Sequence, residues 1–149
     1  MPLRRLDQDA RAVLALANDI AHEYGLEYVG TEHVLLAVLR HGENVAARAL
    51  GSLGVTEERV RAELERTYQL AKEDTWVFGR LPGTPHFQSV IQRAMEAADQ
   101  LESRRIGTAH LLLALYHDSE STAQRTLDGL GVPLKRCREE VLREMAAAG

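Results

Sequence analysis

The chain has 149 residues, 45% hydrophobic and 27% charged, enough for one good core or two small ones. Aromatics at 5%, with plentiful Ala, Leu, Glu and Arg, favour helices over sheets. A net charge of −4 without a basic block argues against nucleic acid as the main partner, and the single cysteine, Cys137, excludes an internal disulfide.

Asp7 is the N-cap expected for the first helix, with Leu6 before it as a hydrophobic staple. Val13, Leu14, Leu16, Ala17, Ile20, Ala21 and Tyr24 recur at helical spacing, and Gly25 is the expected stop. Thr31 reads as the cap of a second helix, with Glu32 complementing its dipole. That helix is apolar almost all round (Val34, Leu35, Leu36, Val38, Leu39), so it belongs at a buried centre, and His41-Gly42 ends it. Residues 44–52 form a short third helix that Gly54 breaks, and Thr56 caps a fourth carrying Val60, Leu64 and Tyr68.

Periodicity lapses over residues 73–83, where Gly79, Pro82 and Gly83 mark a linker. Thr84-Pro85 restarts the series, and Val90, Ile91, Ala94, Met95, Ala98 and Leu101 give the fifth helix its face. Thr108 caps the sixth, residues 119–129 form the seventh, and Gly131 breaks it. Pro133 opens the eighth, with Leu134, Cys137, Val141 and Met145 expected inward.

This order is one unit written twice. Gly30-Thr31-Glu32-His33-Val34-Leu35-Leu36-Ala37 returns 77 residues later as Gly107-Thr108-Ala109-His110-Leu111-Leu112-Leu113-Ala114. Residues 7–68 slide onto 84–145 without a gap, and 20 of the 62 pairs are identical. The expected architecture is all-α, a single domain over residues 1–149. It is a duplicated four-helix repeat (eight helices in all) with a pseudo-twofold, repeat 1 at 7–68 and repeat 2 at 84–145.

No catalytic constellation emerges. A phosphate-binding Walker loop is absent, and no strand is expected that could precede one. The six histidines form no H-E-x-x-H pair, and one cysteine gives no C-x-x-C, so no metal and no cofactor are expected. His33 and His110, each three residues after a glycine, read as packed histidines holding the preceding loop. Cys137 stands where repeat 1 has Val60 and reads as a small core residue. The serines fall in no G-x-S-x-G turn.

The Thr31-Glu32 pair is the richest candidate site. Free N–H groups at a helix start suit a phosphate, and a carboxylate suits a guanidinium. A phosphorylated arginine side chain presents both. A plain capping role accounts for the same two residues, since a Thr cap followed by Glu is common at helix starts. Trp76 and Phe78, in the linker, suit either an apolar anchor for that segment or a small lip for a protein partner.

The repeated G-T-x-H-[VL]-L-L and the run Ala46-Ala47-Arg48-Ala49-Leu50-Gly51-Ser52-Leu53-Gly54-Val55 resemble the N-terminal domain of Clp/Hsp100 ATPases, the ClpC type in particular. The resemblance covers residues 6–145. It implies an all-α double repeat that recognises substrates and adaptor proteins for an attached unfoldase. It also implies a phosphoarginine pocket at Thr31 and Glu32. In the second copy the family glutamate is replaced by Ala109, leaving Thr108 and the helix start. That loss of a charge-assisted contact should cost about 1.5–3 kcal/mol, so one competent pocket at most is expected. Gly83 also replaces an aromatic common in the family.

No ATPase modules accompany the domain, so either a free-standing homologue or a piece of a longer protein is expected, and the start at Met1 favours the first. The longest apolar runs, such as residues 34–39, are too short for a membrane span, and no export signal follows Met1, so a cytoplasmic location is expected. The expected role is a non-enzymatic, monomeric binding module for Clp ATPase or protease components and for adaptor or substrate proteins, including arginine-phosphorylated ones. The alternative is a structural or regulatory subunit that docks on a Clp ATPase or protease without binding substrate.

Overall fold

The computed structural model describes residues 5–23, 30–74, 87–116 and 122–148, with side chains for 5–23, 30–66, 90–116 and 122–147. Eight helices are present among them: α1 (Gln8–Glu23), α2 (Thr31–His41), α3 (Val45–Ser52), α4 (Glu57–Asp74), α5 (Phe87–Gln100), α6 (Thr108–Ala114), α7 (Thr122–Gly129) and α8 (Leu134–Ala148). The fold is all-α, as the periodicity implies. The one β pairing among the described residues is a parallel bridge between Leu6 and Ile106.

The caps show why the helices start where they do. Asp7 Oδ1 accepts the Ala10 N–H at 2.8 Å, and Thr56 Oγ1 accepts the Arg59 N–H at 3.2 Å. Asn44 does two jobs. Its Oδ1 accepts the Ala47 N–H at 2.8 Å to start α3, and its Nδ2 donates to the Val38 carbonyl at 3.1 Å, tying the end of α2. Gly54 and its counterpart Gly131 have φ of +79° and +81°, the left-handed geometry that lets the chain leave α3 and α7 sharply. Helix α4 continues to Asp74, two residues into the segment expected as a linker. Gly25, Gly83 and Thr84-Pro85 lie outside the described residues.

Within each repeat the first two helices pack together, α1 on α2 and α5 on α6. The third and fourth cross over: α3 packs on α8, and α4 on α7. The result is one core. Val13, Leu36 and Leu64 from the first repeat join Ala94, Leu112 and Val141 from the second in a single buried cluster. Helix α2 is enclosed from Thr31 through Val38, as its all-round apolar sequence demands.

Leu134 corrects one expectation. Cys137 and Val141 are fully buried and Met145 is half-buried against the core, but Leu134 is 42% exposed. It is the first residue of α8 and lines a surface pocket with Ala97, Leu113 and Tyr116 instead of entering the core. Cys137 is enclosed, and burial pushes its thiol up to about 11, keeping it protonated at neutral pH.

Candidate functional site

The two G-T-x-H stretches start α2 and α6, and their geometry differs from the simple capping pattern. The N-caps are Gly30 and Gly107, one residue earlier than expected, both in extended backbone. Glycine has no side chain to cap with, so histidine supplies the reciprocal bond. His33 Nδ1 accepts the Gly30 N–H at 2.8 Å, and His110 Nδ1 accepts the Gly107 N–H at 2.8 Å. This is the back-reaching half of a capping box, with imidazole in place of a Glu or Gln side chain.

That role requires a neutral ring with its proton on Nε2. For His110 the Nε2–H then donates to Ser103 Oγ at 3.2 Å. Burial favours the neutral form in both copies. It lowers His33 to about 4 and also lowers His110, where the Asp7 charge opposes and Arg5 reinforces the shift.

With glycine as the cap, each threonine hydroxyl turns to the other repeat. Thr31 Oγ1 accepts the Ala123 N–H of α7 at 3.0 Å, and Thr108 Oγ1 accepts the Ala46 N–H of α3 at 3.3 Å. Ala46 and Ala123 are themselves counterparts at the 77-residue offset. Each copy thus supplies a capping acceptor for the third helix of its twin. Thr31 and Thr108 do not cap their own helices because their hydroxyls are engaged across the pseudo-twofold.

Both threonines are buried, and Glu32 has 0% exposure. Any ligand that reaches the Glu32 carboxylate has to open the start of α2. The second copy is more open. A surface pocket of about 280 Å³ lies there, lined by Asp7, Asp9, Val45, Gly107, Thr108 and Ala109. The small Ala109 side chain leaves room, but the two carboxylates disfavour a phosphate. The structure therefore brings Thr108 to a pocket rim while enclosing Thr31 and Glu32, and Trp76 and Phe78 lie outside the described residues.

Sequence reasoning missed Asp7 at this site. The segment before α1 runs beside Ile106, with Asp7 N–H donating to the Ile106 carbonyl at 2.9 Å and Ile106 N–H to the Arg5 carbonyl at 2.7 Å. This brings the Asp7 carboxylate against Gly107, where an added Cβ would stand 2.9 Å from Asp7 Oδ2. Since Asp7 also caps α1, Gly107→Ala has to displace a working cap. Its expected cost is about 1 kcal/mol, read as a lowered urea midpoint. An unchanged midpoint would show that the carboxylate yields freely.

No group of three His, Cys, Asp or Glu side chains that could hold a metal occurs among the described residues, and no described helix is long and apolar enough to cross a membrane.

Comparison with known proteins agrees with this architecture. Residues 5–146 match the Clp repeat (R) N-terminal domain family. The chain is 37% identical over 143 residues to the negative regulator of genetic competence ClpC/MecB of Bacillus subtilis, and 36% identical over 143 residues to the chaperone protein ClpB of Oceanobacillus iheyensis. Each match covers 96% of this chain but 17% of the relative, so the chain spans about a sixth of these proteins' length. Among solved structures, the N-terminal domain of the ClpD chaperone from Arabidopsis thaliana superposes with a TM-score of 0.73 at 17% identity, covering 98% of this chain and 97% of that one. The Hsp104 N-terminal domain from Candida albicans gives 0.61 at 16% identity, covering 92% and 89%. The interlocked double repeat and the family match together make this chain a member of the Clp repeat N-terminal domain family.

Proposed function

We propose that this chain is a non-enzymatic protein-binding module of the Clp system. It acts as a cytoplasmic monomer that recognises substrate or adaptor proteins, arginine-phosphorylated ones among them. The observation that supports the reading is the family membership of nearly the whole chain, residues 5–146, with motif histidines and threonines that serve as capping groups. Phosphoarginine recognition falls on the first repeat, where Thr31 and Glu32 put a hydroxyl and a carboxylate side by side at a helix start. Thr108 is the weaker position, because Ala109 replaces the carboxylate and Asp7 and Asp9 repel phosphate.

The enclosure of Thr31 and Glu32 favours a second reading, in which the module docks on a Clp ATPase or protease and binds no phosphoarginine. Calorimetric titration of free phosphoarginine into the wild type and Glu32→Ala separates the two. The first reading expects saturable heat with the wild type and an affinity one to two decades lower for Glu32→Ala, the value of about 1.5–3 kcal/mol for a charge-assisted bond. No heat with either protein leaves only the docking reading. Equal heat with both moves the ligand away from Glu32.

A further inference from the structure

The duplication allows one copy to show what the other lacks. On the first repeat, Arg40 reaches Glu23 and Glu57, each at 3.0 Å, and Arg61 also reaches Glu57 at 3.0 Å. Burial alone would raise the Glu57 carboxyl, but the hydrogen bonds and charges of Arg40 and Arg61 overcome it and hold the group below its usual range. The scaffold at this position accommodates a carboxylate between guanidinium groups.

Seventy-seven residues on, the set is rewritten. Glu23 becomes Gln100, Glu57 becomes Leu134 and Arg40 becomes His117, which lies outside the described residues, while Arg61 persists as Arg138 and Leu16 becomes Arg93. Both carboxylates are gone, and the place of an apolar residue holds a second arginine. A surface pocket of about 170 Å³ lies here, and its lining includes Arg93, Glu96, Gln100, Tyr116, Leu134 and Arg138. Arg93 pairs at 3.1 Å with Glu96 on its own helix, both about two-fifths exposed. Arg138 makes no ion pair among the described residues, and Leu134 presents apolar surface beside it. Lys135 and Arg136 are exposed next to the pocket.

We propose that this pocket, between α5, the end of α6 and the start of α8, docks an acidic segment of a partner protein. One partner carboxylate pairs with Arg138 beside Arg93, as Glu57 pairs with Arg61 in the first copy, and a neighbouring apolar side chain sits on Leu134. The charge balance points the same way. A chain of net charge −4 repels an acidic segment over much of its surface, so a local group of cations with an apolar contact selects where it lands. The apolar contact is needed as well, because an exposed ion pair alone contributes little. This surface is separate from the α2 and α6 starts, so the proposal does not rest on phosphoarginine recognition.

The test titrates the peptide acetyl-Ala-Glu-Glu-Leu-Glu-Ala-amide, and its twin with Gln in place of Glu, into the isotopically labelled full chain, followed by backbone amide shifts. Saturable shifts are expected for the acidic peptide at residues 93–100 and 134–138. Arg138→Gln is expected to weaken binding about tenfold, as the loss of one charge-assisted contact would. Leu134→Glu restores the residue of the first repeat and should fill the site from within. It should weaken binding at least as much, with thermal melting recorded to show the fold intact. Absence of saturable shifts at these residues overturns the proposal. So does equal binding of the Gln twin, or wild-type affinity in Arg138→Gln. The Arg138→Gln result decides the matter if Leu134→Glu fails to fold.

Discussion

Thr31→Val is expected to destabilise the domain by about 1–3 kcal/mol, although it leaves side-chain shape and branching unchanged. The substitution removes the oxygen that accepts the Ala123 N–H at 3.0 Å in a buried setting. A buried donor left without its acceptor loses the bond and keeps the desolvation cost, and that asymmetry sets the magnitude. The loss appears at the start of α7 in the second repeat, 92 residues from the mutation. At this chain length each kcal/mol lowers the melting temperature by about 2–4 °C. Thr31→Ser keeps the hydroxyl and gives up one methyl group, so it should cost about 0.8 kcal/mol or less. A Thr31→Val protein as stable as the wild type would show that the cross-repeat cap contributes nothing.

Acid is expected to loosen the fold through His33. An unfolded histidine takes up its proton near pH 6.5, whereas His33 in the fold resists until about pH 4. Between those values the unfolded chain binds the extra proton, so stability is complete above about pH 6.5 and falls as the pH drops through the window. Each pH unit removes about 1.4 kcal/mol, and the whole window removes on the order of 3 kcal/mol. The cause is structural as well as electrostatic, because a protonated Nδ1 can no longer accept the Gly30 N–H. His110 is shifted in the same direction and adds to the slope. His33→Gln offers an amide oxygen at the capping-box position and does not titrate, so its stability should vary less between pH 6.5 and 4. Parallel pH profiles for the wild type and His33→Gln, from urea unfolding, would remove His33 from the account.

Much of the architecture is legible in the sequence because its determinants are local. The three- and four-residue spacing of apolar side chains places the helices, Asp7 and Thr56 announce their caps, and the all-round apolar character of residues 34–38 identifies the buried α2. The 77-residue repeat shows that whatever holds for Gly30-Thr31 holds in some form for Gly107-Thr108. The partner of each threonine is not legible, since nothing local at residue 31 specifies a backbone N–H at residue 123. The cap itself is misread for a related reason. Threonine is the better capping side chain, but a histidine two residues on frees it by serving the glycine before it. Leu134 fits the inward pattern of α8 by spacing, and only the packing shows that it lines a surface pocket and not the core. The Asp7–Gly107 contact likewise depends on the bridge from Leu6 to Ile106.

This division bears on how the candidate site is used. The repeated motif interlocks two units that are each too small to be independently robust, and its two copies then diverge on the surface. One start encloses a glutamate, and the other opens a pocket beside an alanine.

Backbone amide hydrogen exchange at Ala123 and Ala46, compared among the wild type, Thr31→Val and Thr108→Val, tests the interlock most directly. Faster exchange is expected at Ala123 in Thr31→Val with Ala46 little changed, and the reverse in Thr108→Val. Equal acceleration of both amides in either variant, or no change at the capped amide, would contradict it.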